Sequence, residues 1–172
     1  MNKSARVLLA LQGFTLIEVL LVVSILAIMT ATLIPSFDSY IKNQNLKQAQ
    51  EAVKNDLRTM QNRAMTGASS GSGITYWGIY FADETNSYSL NSTSTPATCA
   101  ASAESSGILP GDVVMDTTPN PSRCVWFAVG TGDTYSTSEA SIYVKSGSIC
   151  KRVVVNPFGR IVSDPSQVAC PQ

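Results

Sequence analysis

The sequence contains no histidine, and charged residues make up only 14% of its 172 residues. The absence of histidine removes the most common general base, the Ser-His and Cys-His pairs of nucleophilic enzymes, and the zinc sites that use an imidazole ligand. The sequence also lacks a nucleophile motif and a phosphate-binding loop. We therefore expect a protein that is not an enzyme, with no catalytic residue, no metal and no cofactor.

The chain also lacks net charge, because 12 Lys and Arg residues balance 12 Asp and Glu residues. Proteins that coat nucleic acid are usually strongly basic, so this balance argues against that class. The charges are unevenly spread, since residues 42–63 are basic and residues 67–172 are mildly acidic. The length and the 44% apolar content indicate one folded domain with an appendage.

A long apolar run, Phe14 to Ile34, contains a single charged residue, Glu18. About 20 apolar residues in a helix cross the hydrocarbon core of a bilayer. Lys3 and Arg6 precede the run, and positive charge ahead of a first span keeps that end in the cytoplasm. The pattern predicts a transmembrane helix over 14–35, with the remainder of the chain translocated.

Two simpler interpretations are a secretory signal peptide and a plain membrane anchor. A signal peptide has an apolar run of about 7–15 residues and then a small-residue cleavage site, and this run is longer and lacks such a site. Neither interpretation accounts for Glu18. A carboxylate inside an apolar span costs a few kcal/mol, so its presence indicates a function.

The segment 13–18, Gly-Phe-Thr-Leu-Ile-Glu, resembles the prepilin peptidase signature of type IV pilins and type II secretion pseudopilins. The resemblance implies cleavage between Gly13 and Phe14, N-methylation of Phe14, and a role for Glu18 in assembly. Residues 1–13 would then be a leader peptide, and Pro35 matches a proline common in the family's long helix. The implied partners are the prepilin peptidase, other pilin or pseudopilin subunits, an inner-membrane assembly platform and the membrane.

The chemistry of this segment is consistent with those roles. Gly13 has no side chain, so a protease can approach its backbone closely. Cleavage would give Phe14 a positive amine near the buried carboxylate of Glu18, which needs a partner. Pairing of Glu18 with the amine of a neighbouring subunit would set the register of a filament.

Residues 36–66 read as an amphipathic helix that ends at Gly67. Apolar residues recur at spacings of three and four, at Leu46, Ala49, Val53, Leu57, Met60 and Ala64. We expect this stripe to pack against a globular domain, because it is short for a coiled-coil seam. Pro35 lies inside the helical run and is expected to kink or locally melt the helix.

Residues 67–172 read as a β-rich headpiece, which makes the fold class α+β, with the long helix packed on an antiparallel sheet. Runs rich in β-branched and aromatic residues predict strands. These runs are Ile74–Phe81, Ser87–Leu90, Asp112–Met115, Arg123–Val129, Ser141–Lys145, Cys150–Asn156 and Arg160–Ser163. Asn91 to Ser106 is rich in Ser and Thr and is expected to be a solvated loop, with partner binding as the alternative.

The four cysteines, Cys99, Cys124, Cys150 and Cys170, indicate disulfides in an oxidising compartment. Four cysteines allow three pairings, and the sequence does not choose among them. Pairing of Cys99 with Cys124 and of Cys150 with Cys170 is favoured because both close short loops. No Cys-x-x-Cys spacing occurs, which argues against a metal site.

The end of the helix, Asn55–Gly67, and the segment Asn156–Ser163 resemble the GspH/FimT/FimU group of minor pilins and pseudopilins. This resemblance implies a minor pilin, although a major pilin is not excluded. Some FimT-like members bind DNA through a Gly-Arg-x-Arg pattern, and here Gly159 and Arg160 are not followed by the second arginine. Lys151, Arg152 and Arg160 are the candidate DNA contacts, but a solvated hairpin edge is the favoured interpretation.

The function predicted from sequence is therefore a structural subunit of a type IV pilus, most similar to a minor pilin. The alternatives are a pseudopilin of a type II secretion system and a DNA-binding minor pilin of an uptake pilus. The predicted location is the inner membrane, crossed once, with an extracytoplasmic headpiece and later incorporation into a filament.

Overall fold

The computed structural model describes residues 13–67, 73–96, 99, 102–117 and 122–171, without the side chains of residues 32–36, 102 and 122. The chain divides into two compact units, Met1–Ser39 and Tyr40–Gln172. The second unit contains the predicted amphipathic helix 36–66 from Tyr40 onward. Apart from Gly13, the predicted leader lies outside the described residues.

Helix α1 runs from Leu16 to Met65. The predicted apolar stripe is fully buried at all of its positions: Leu46, Ala49, Val53, Leu57, Met60 and Ala64. Side chains three and four residues apart share one face of a helix, which explains why the stripe buries as a unit. The prediction that this face packs against the headpiece is confirmed.

In the described residues after the helix, nine strands form two antiparallel sheets. The first sheet has the order β3-β2-β1-β5, and the second has the order β4-β6-β7-β8, with β9 also paired to β7. The strands are β1 (Tyr76–Ala82), β2 (Ser87–Thr93), β3 (Ser102–Ile108), β4 (Val114–Asp116), β5 (Ser122–Ala128), β6 (Ala140–Ser146), β7 (Ile149–Val155), β8 (Ile161–Ser163) and β9 (Val168–Ala169). The predicted α+β class with antiparallel strands is confirmed.

Two features of the strands differ from the sequence expectation. The predicted solvated loop Asn91–Ser106 is wrong in part, because β2 extends to Thr93 and β3 begins at Ser102. Strand β3 is rich in Ser, which has little preference for strands, and it forms because it pairs with β2 along most of its length. The strands also divide into two sheets, since β4 pairs with β6 rather than with the first sheet.

The core fills the space between the helix stripe and the inner faces of both sheets. Successive strand residues point to opposite faces, so alternate residues enter the core. Strand β1 contributes Trp77, Ile79 and Phe81, and strand β6 contributes Ile142 and Val144. One continuous apolar cluster therefore joins the helix to both sheets.

Tyr88 links the helix to the first sheet. Its hydroxyl donates a 2.6 Å hydrogen bond to Oδ2 of Asp56 on α1, and its ring is buried. Burial, together with this hydrogen bond, raises the pKa of Tyr88 above its usual range. The tyrosine therefore stays protonated at neutral pH and acts as a fixed hydrogen-bond donor.

Gln50 links the helix to the second sheet. Its side-chain amide is buried and donates to the backbone carbonyls of Arg152, at 2.8 Å, and Asp164, at 2.7 Å. Both hydrogens of the amide are therefore used on two chain segments that flank strand β8. A buried amide with both donors satisfied fixes the position of the segment against the helix.

Replacement of Gln50 by leucine is expected to lower the free energy of unfolding by about 2 kcal/mol. Leucine keeps the volume but removes both donors, which leaves the partly buried carbonyl of Asp164 without this partner. Urea unfolding followed by tryptophan fluorescence measures this change. The matched control is Gln48→Leu, because Gln48 is exposed on the same helix; equal stability of the two variants would contradict the role of Gln50.

Both disulfides pair the cysteines that the sequence favoured. Cys99 bonds to Cys124 of β5, and Cys150 of β7 bonds to Cys170. The second bond closes a segment that also pairs β9 with β7 and donates from Gln167 to Oδ1 of Asn43, at 2.6 Å. The C-terminal segment is thus held to the headpiece by covalent, sheet and side-chain contacts.

Candidate functional site

The predicted cleavage site lies just ahead of helix α1. Gly13, Phe14 and Thr15 have no regular secondary structure, and the helix begins at Leu16. Gly13 is exposed, and Phe14 is 82% exposed. Exposed, non-helical backbone is where proteases cut most readily, so this segment suits a peptidase substrate.

Thr15 caps the first turn of the helix. The backbone N–H of Glu18 donates to Oγ1 of Thr15, at 3.3 Å, and to its carbonyl, at 3.1 Å. A threonine at this position satisfies one of the donors that a helix start leaves unpaired. Thr15 is a residue that the sequence analysis missed, although the Thr-x-x-Glu pattern of a capping box was readable there.

Glu18 lies exposed in the first turn of α1, where the helix dipole is positive. The dipole favours a negative side chain at this place by about 0.3–1 kcal/mol. Among the residues that the structure describes, Glu18 makes no ion pair. The described part of the chain therefore leaves this carboxylate without a cationic partner.

The apolar side chains of the first helical turns lie on the surface. From Leu16 to Met29 the large apolar side chains are about half exposed or more. Among the residues that the structure describes, no helix is both long enough and apolar enough to cross a membrane. The predicted transmembrane span over 14–35 is therefore not confirmed.

The backbone of α1 remains helical through Pro35. The helix is therefore not melted at this residue, contrary to one of the two outcomes that the sequence allowed. The side chain of Pro35 lies outside the described residues. The helix kink stays a prediction.

The hairpin between β7 and β8 forms a second candidate site. Its turn is closed by hydrogen bonds from Gly159 N–H to the carbonyl of Asn156, at 3.0 Å, and from Arg160 N–H to Oδ1 of Asn156, at 2.7 Å. Gly159 has φ of 73°, in the left-handed region that favours glycine. A Cβ at this position would also collide with Gln61 and with the backbone of Gly132.

Gln61 fixes this hairpin to the helix. Its side-chain amide donates to the carbonyls of Gly132, at 3.1 Å, and Gly159, at 2.8 Å. Next to this contact lies an open groove of about 530 Å³. Its walls are formed by Lys54, Arg58 and Gln61 of α1 and by residues 159–163 of the hairpin and β8.

The candidate DNA contacts do not form one exposed patch. Lys151 is buried, and its ammonium donates to the carbonyl of Pro165, at 2.9 Å. Arg152 pairs with Asp164 at 3.2 Å, while Arg160 is exposed. Lys151 shares the buried face of β7 with Val153 because residues two apart lie on the same side of a strand. The prediction that Lys151, Arg152 and Arg160 form one basic patch is therefore wrong, because Lys151 is buried and Arg152 is paired.

Asp116, Cys150 and Cys170 lie close together, with their potential ligand atoms within 4.8 Å of one another. Both cysteines belong to the same disulfide, so they offer no thiolate to a metal. A single buried carboxylate remains, and one carboxylate is not a metal site. The cluster is therefore part of the disulfide's packing.

Two comparisons, one of sequence motifs and one of folds, relate the chain to known proteins. Residues 12–34 match the prokaryotic N-terminal methylation motif. The fold is similar to the crystal structure of the type IV minor pilin FimU of Pseudomonas aeruginosa, with a TM-score of 0.58 and 12% sequence identity over 77% of this chain and 99% of that chain. No curated protein sequence matches the chain significantly. The motif and the fold together support a type IV pilin-like family for this chain.

Proposed function

We propose that the chain is a structural subunit of a type IV pilus, of the minor pilin kind, assembled through helix α1. The observation that carries the proposal is the combination of two features on one helix. The methylation motif at residues 12–34 covers the start of α1, and the buried stripe from Leu46 to Ala64 forms the core of a pilin-like headpiece. In such a subunit, the N-terminal part of α1 is available for assembly, and the headpiece folds around the C-terminal part of the same helix.

The processing steps follow from the N-terminal segment. Prepilin peptidase cleaves between Gly13 and Phe14 and removes residues 1–13, and Phe14 is then N-methylated. Thr15 caps the helix directly behind the cleavage site, so the substrate presents free backbone followed at once by a formed helix. The same chain therefore offers a cleavable bond and an assembly helix without rearrangement.

The exposed apolar side chains of residues 14–31 are unfavourable in water and require apolar surroundings. Before assembly those surroundings are the inner membrane, with residues 14–35 as the anchor, residues 36–66 as the helix that continues into the head, and residues 67–172 as the extracytoplasmic headpiece. After assembly they are the helices of neighbouring subunits. Moving an apolar helix between these two surroundings costs little hydrophobic energy, so packing and ionic pairs decide association.

The partners of the subunit are other pilins, prepilin peptidase and the inner-membrane assembly platform. A pseudopilin of a type II secretion system would use the same motif and the same helix. The pilus is proposed because the fold is similar to that of a type IV minor pilin over almost the whole of the latter chain. A role in DNA binding is not proposed, since two of its three candidate contacts are buried or paired.

Intact mass spectrometry of the membrane-extracted chain, expressed with and without a prepilin peptidase, tests the proposal. We expect loss of residues 1–13 and a gain of one methyl group, and both changes should depend on the peptidase. A Gly13→Val variant serves as the control, because its side chain obstructs the close approach of the peptidase to the backbone. An unchanged wild-type mass beside an active peptidase would contradict the proposed function.

A further inference from the structure

The groove between α1 and the β7–β8 hairpin carries two guanidinium groups, one from each of these elements. Arg58 comes from the helix and Arg160 comes from the hairpin, and both side chains are exposed. Neither forms an ion pair with any of the residues that the structure describes. No Asp or Glu lines the groove, so its surface is basic in a headpiece that is otherwise mildly acidic.

Lys54 also lines the groove, but its charge is already used. Its ammonium lies 3.1 Å from Oε2 of Glu51 and 3.1 Å from Oγ of Ser163. The groove therefore offers the two arginines as its binding cations and Lys54 as a fixed part of its wall. An arginine presents two parallel N–H donors that match the geometry of a carboxylate.

Both arginines stand on rigid supports. Arg58 follows Leu57, which is fully buried in the core, and Arg160 follows Gly159, whose carbonyl is held by Gln61. Binding therefore orders two side chains and no backbone, which lowers the entropic cost of recognition. Val162, which is 43% exposed, also lines the groove and gives it some apolar surface.

We propose that this groove docks a carboxylate-bearing segment of a neighbouring protein subunit, with Arg58 and Arg160 as the recognition residues. The choice of a filament subunit as the neighbour rests on the proposed function. Arginine is one of the residues that most often dominate protein–protein contacts. A nucleic acid fits less well, because its affinity comes from the neutralisation of many phosphates and this groove has two free cations.

The test measures binding of fluorescein-labelled probes to the full-length chain in detergent micelles by fluorescence anisotropy. The probes are a short peptide of alternating Asp and Leu, the same peptide with Asn in place of Asp, and a single-stranded thymidine oligonucleotide. We expect the Asp peptide to bind and the Asn peptide to bind about tenfold more weakly. We expect Arg58→Ala and Arg160→Ala each to weaken the Asp peptide by about tenfold.

The matched control is Lys47→Ala, which removes a positive charge from an exposed position of the same helix outside the groove. It should leave the affinity for the Asp peptide unchanged. Equal binding of the Asp and Asn peptides, or wild-type binding by the Arg58→Ala/Arg160→Ala double variant, would overturn the proposal. Tighter binding of the oligonucleotide, with loss in the same double variant, would also overturn it and assign the groove to nucleic acid.

This result is independent of leader processing. If the chain is not processed but binds the Asp peptide through Arg58 and Arg160, the proposed groove is supported and the proposed pilin function is contradicted. If the chain is processed but does not bind the Asp peptide, the proposed function is supported and the proposed binding groove is contradicted.

Discussion

Leu57→Ala is expected to lower the free energy of unfolding by about 3–4 kcal/mol. Leu57 has no exposed surface and occupies the middle of the helix stripe, so its truncation leaves a cavity between α1 and the sheets. Unfolding in urea can be followed through Trp77 and Trp126, both of which are buried in the headpiece. Their fluorescence reports the headpiece and not the first unit of the chain.

The neighbouring residue provides the control for this prediction. Arg58 is exposed, and Arg58→Ala is expected to change the free energy of unfolding by less than about 0.5 kcal/mol. The same measurement, repeated on Arg160→Ala and on the double variant, tests whether the groove variants are folded. A Leu57→Ala protein as stable as Arg58→Ala would mean that the stripe is not the core of the headpiece.

Glu18→Ala is expected to reduce filament assembly to below about a tenth of the wild-type yield, with leader cleavage unchanged. The physical reason is the pairing that we propose between Glu18 and the amine of Phe14 on a neighbouring subunit: among apolar helices, loss of one partner would leave the other charge buried. Sheared filaments, quantified by immunoblot beside the cleaved membrane pool, give both readouts. Wild-type yield from Glu18→Ala would remove Glu18 from assembly.

Glu18→Gln separates charge pairing from helix capping. Glutamine completes the capping box that begins at Thr15, but it carries no charge. We expect Glu18→Gln to fail in assembly as Glu18→Ala does. Recovery of filaments by glutamine would instead show that Glu18 acts by stabilising the start of the helix.

Much of the helix and most strands could be predicted because their periods are strong. The stripe from Leu46 to Ala64 follows the helical repeat without exception, and every member is buried. Strand β6 places Ala140, Ile142 and Val144 at every second position, which indicates a half-buried strand. In these segments the local pattern and the tertiary structure agree.

Strand β3 and the division into two sheets could not be predicted in this way. The sequence of β3, Ser102–Ile108, carries no apolar alternation, and the strand exists because β2 offers it a ladder of backbone partners. The division depends on which strands pair, and β4 lies far along the chain from its partner β6. Such pairing is decided by tertiary contacts that no local window contains.

The two candidate sites also differ in how far their residues could be predicted from a local stretch of sequence. The N-terminal site is contiguous in sequence, so Gly13, Phe14 and Glu18 could be recognised from one segment. The groove joins Arg58 to Arg160, which are distant in the chain and become neighbours because Gln61 holds the hairpin on the helix. The burial of Lys151 could not be predicted from its strand alone, because Val153, Val154 and Val155 are all apolar and do not mark one face of β7 as the buried one.

The buried stripe of α1 also determines how the headpiece resists force. Leu46 and Ala64 are separated by about 27 Å along a helix that rises 1.5 Å per residue, and Gln50 and Gln61 bond to the headpiece between them. Tension applied along the helix from its Tyr40 end loads all of these contacts in shear, so they must yield together. A load that peeled the helix away from the sheets would break them one after another. The headpiece is therefore mechanically strongest along the axis of its own helix.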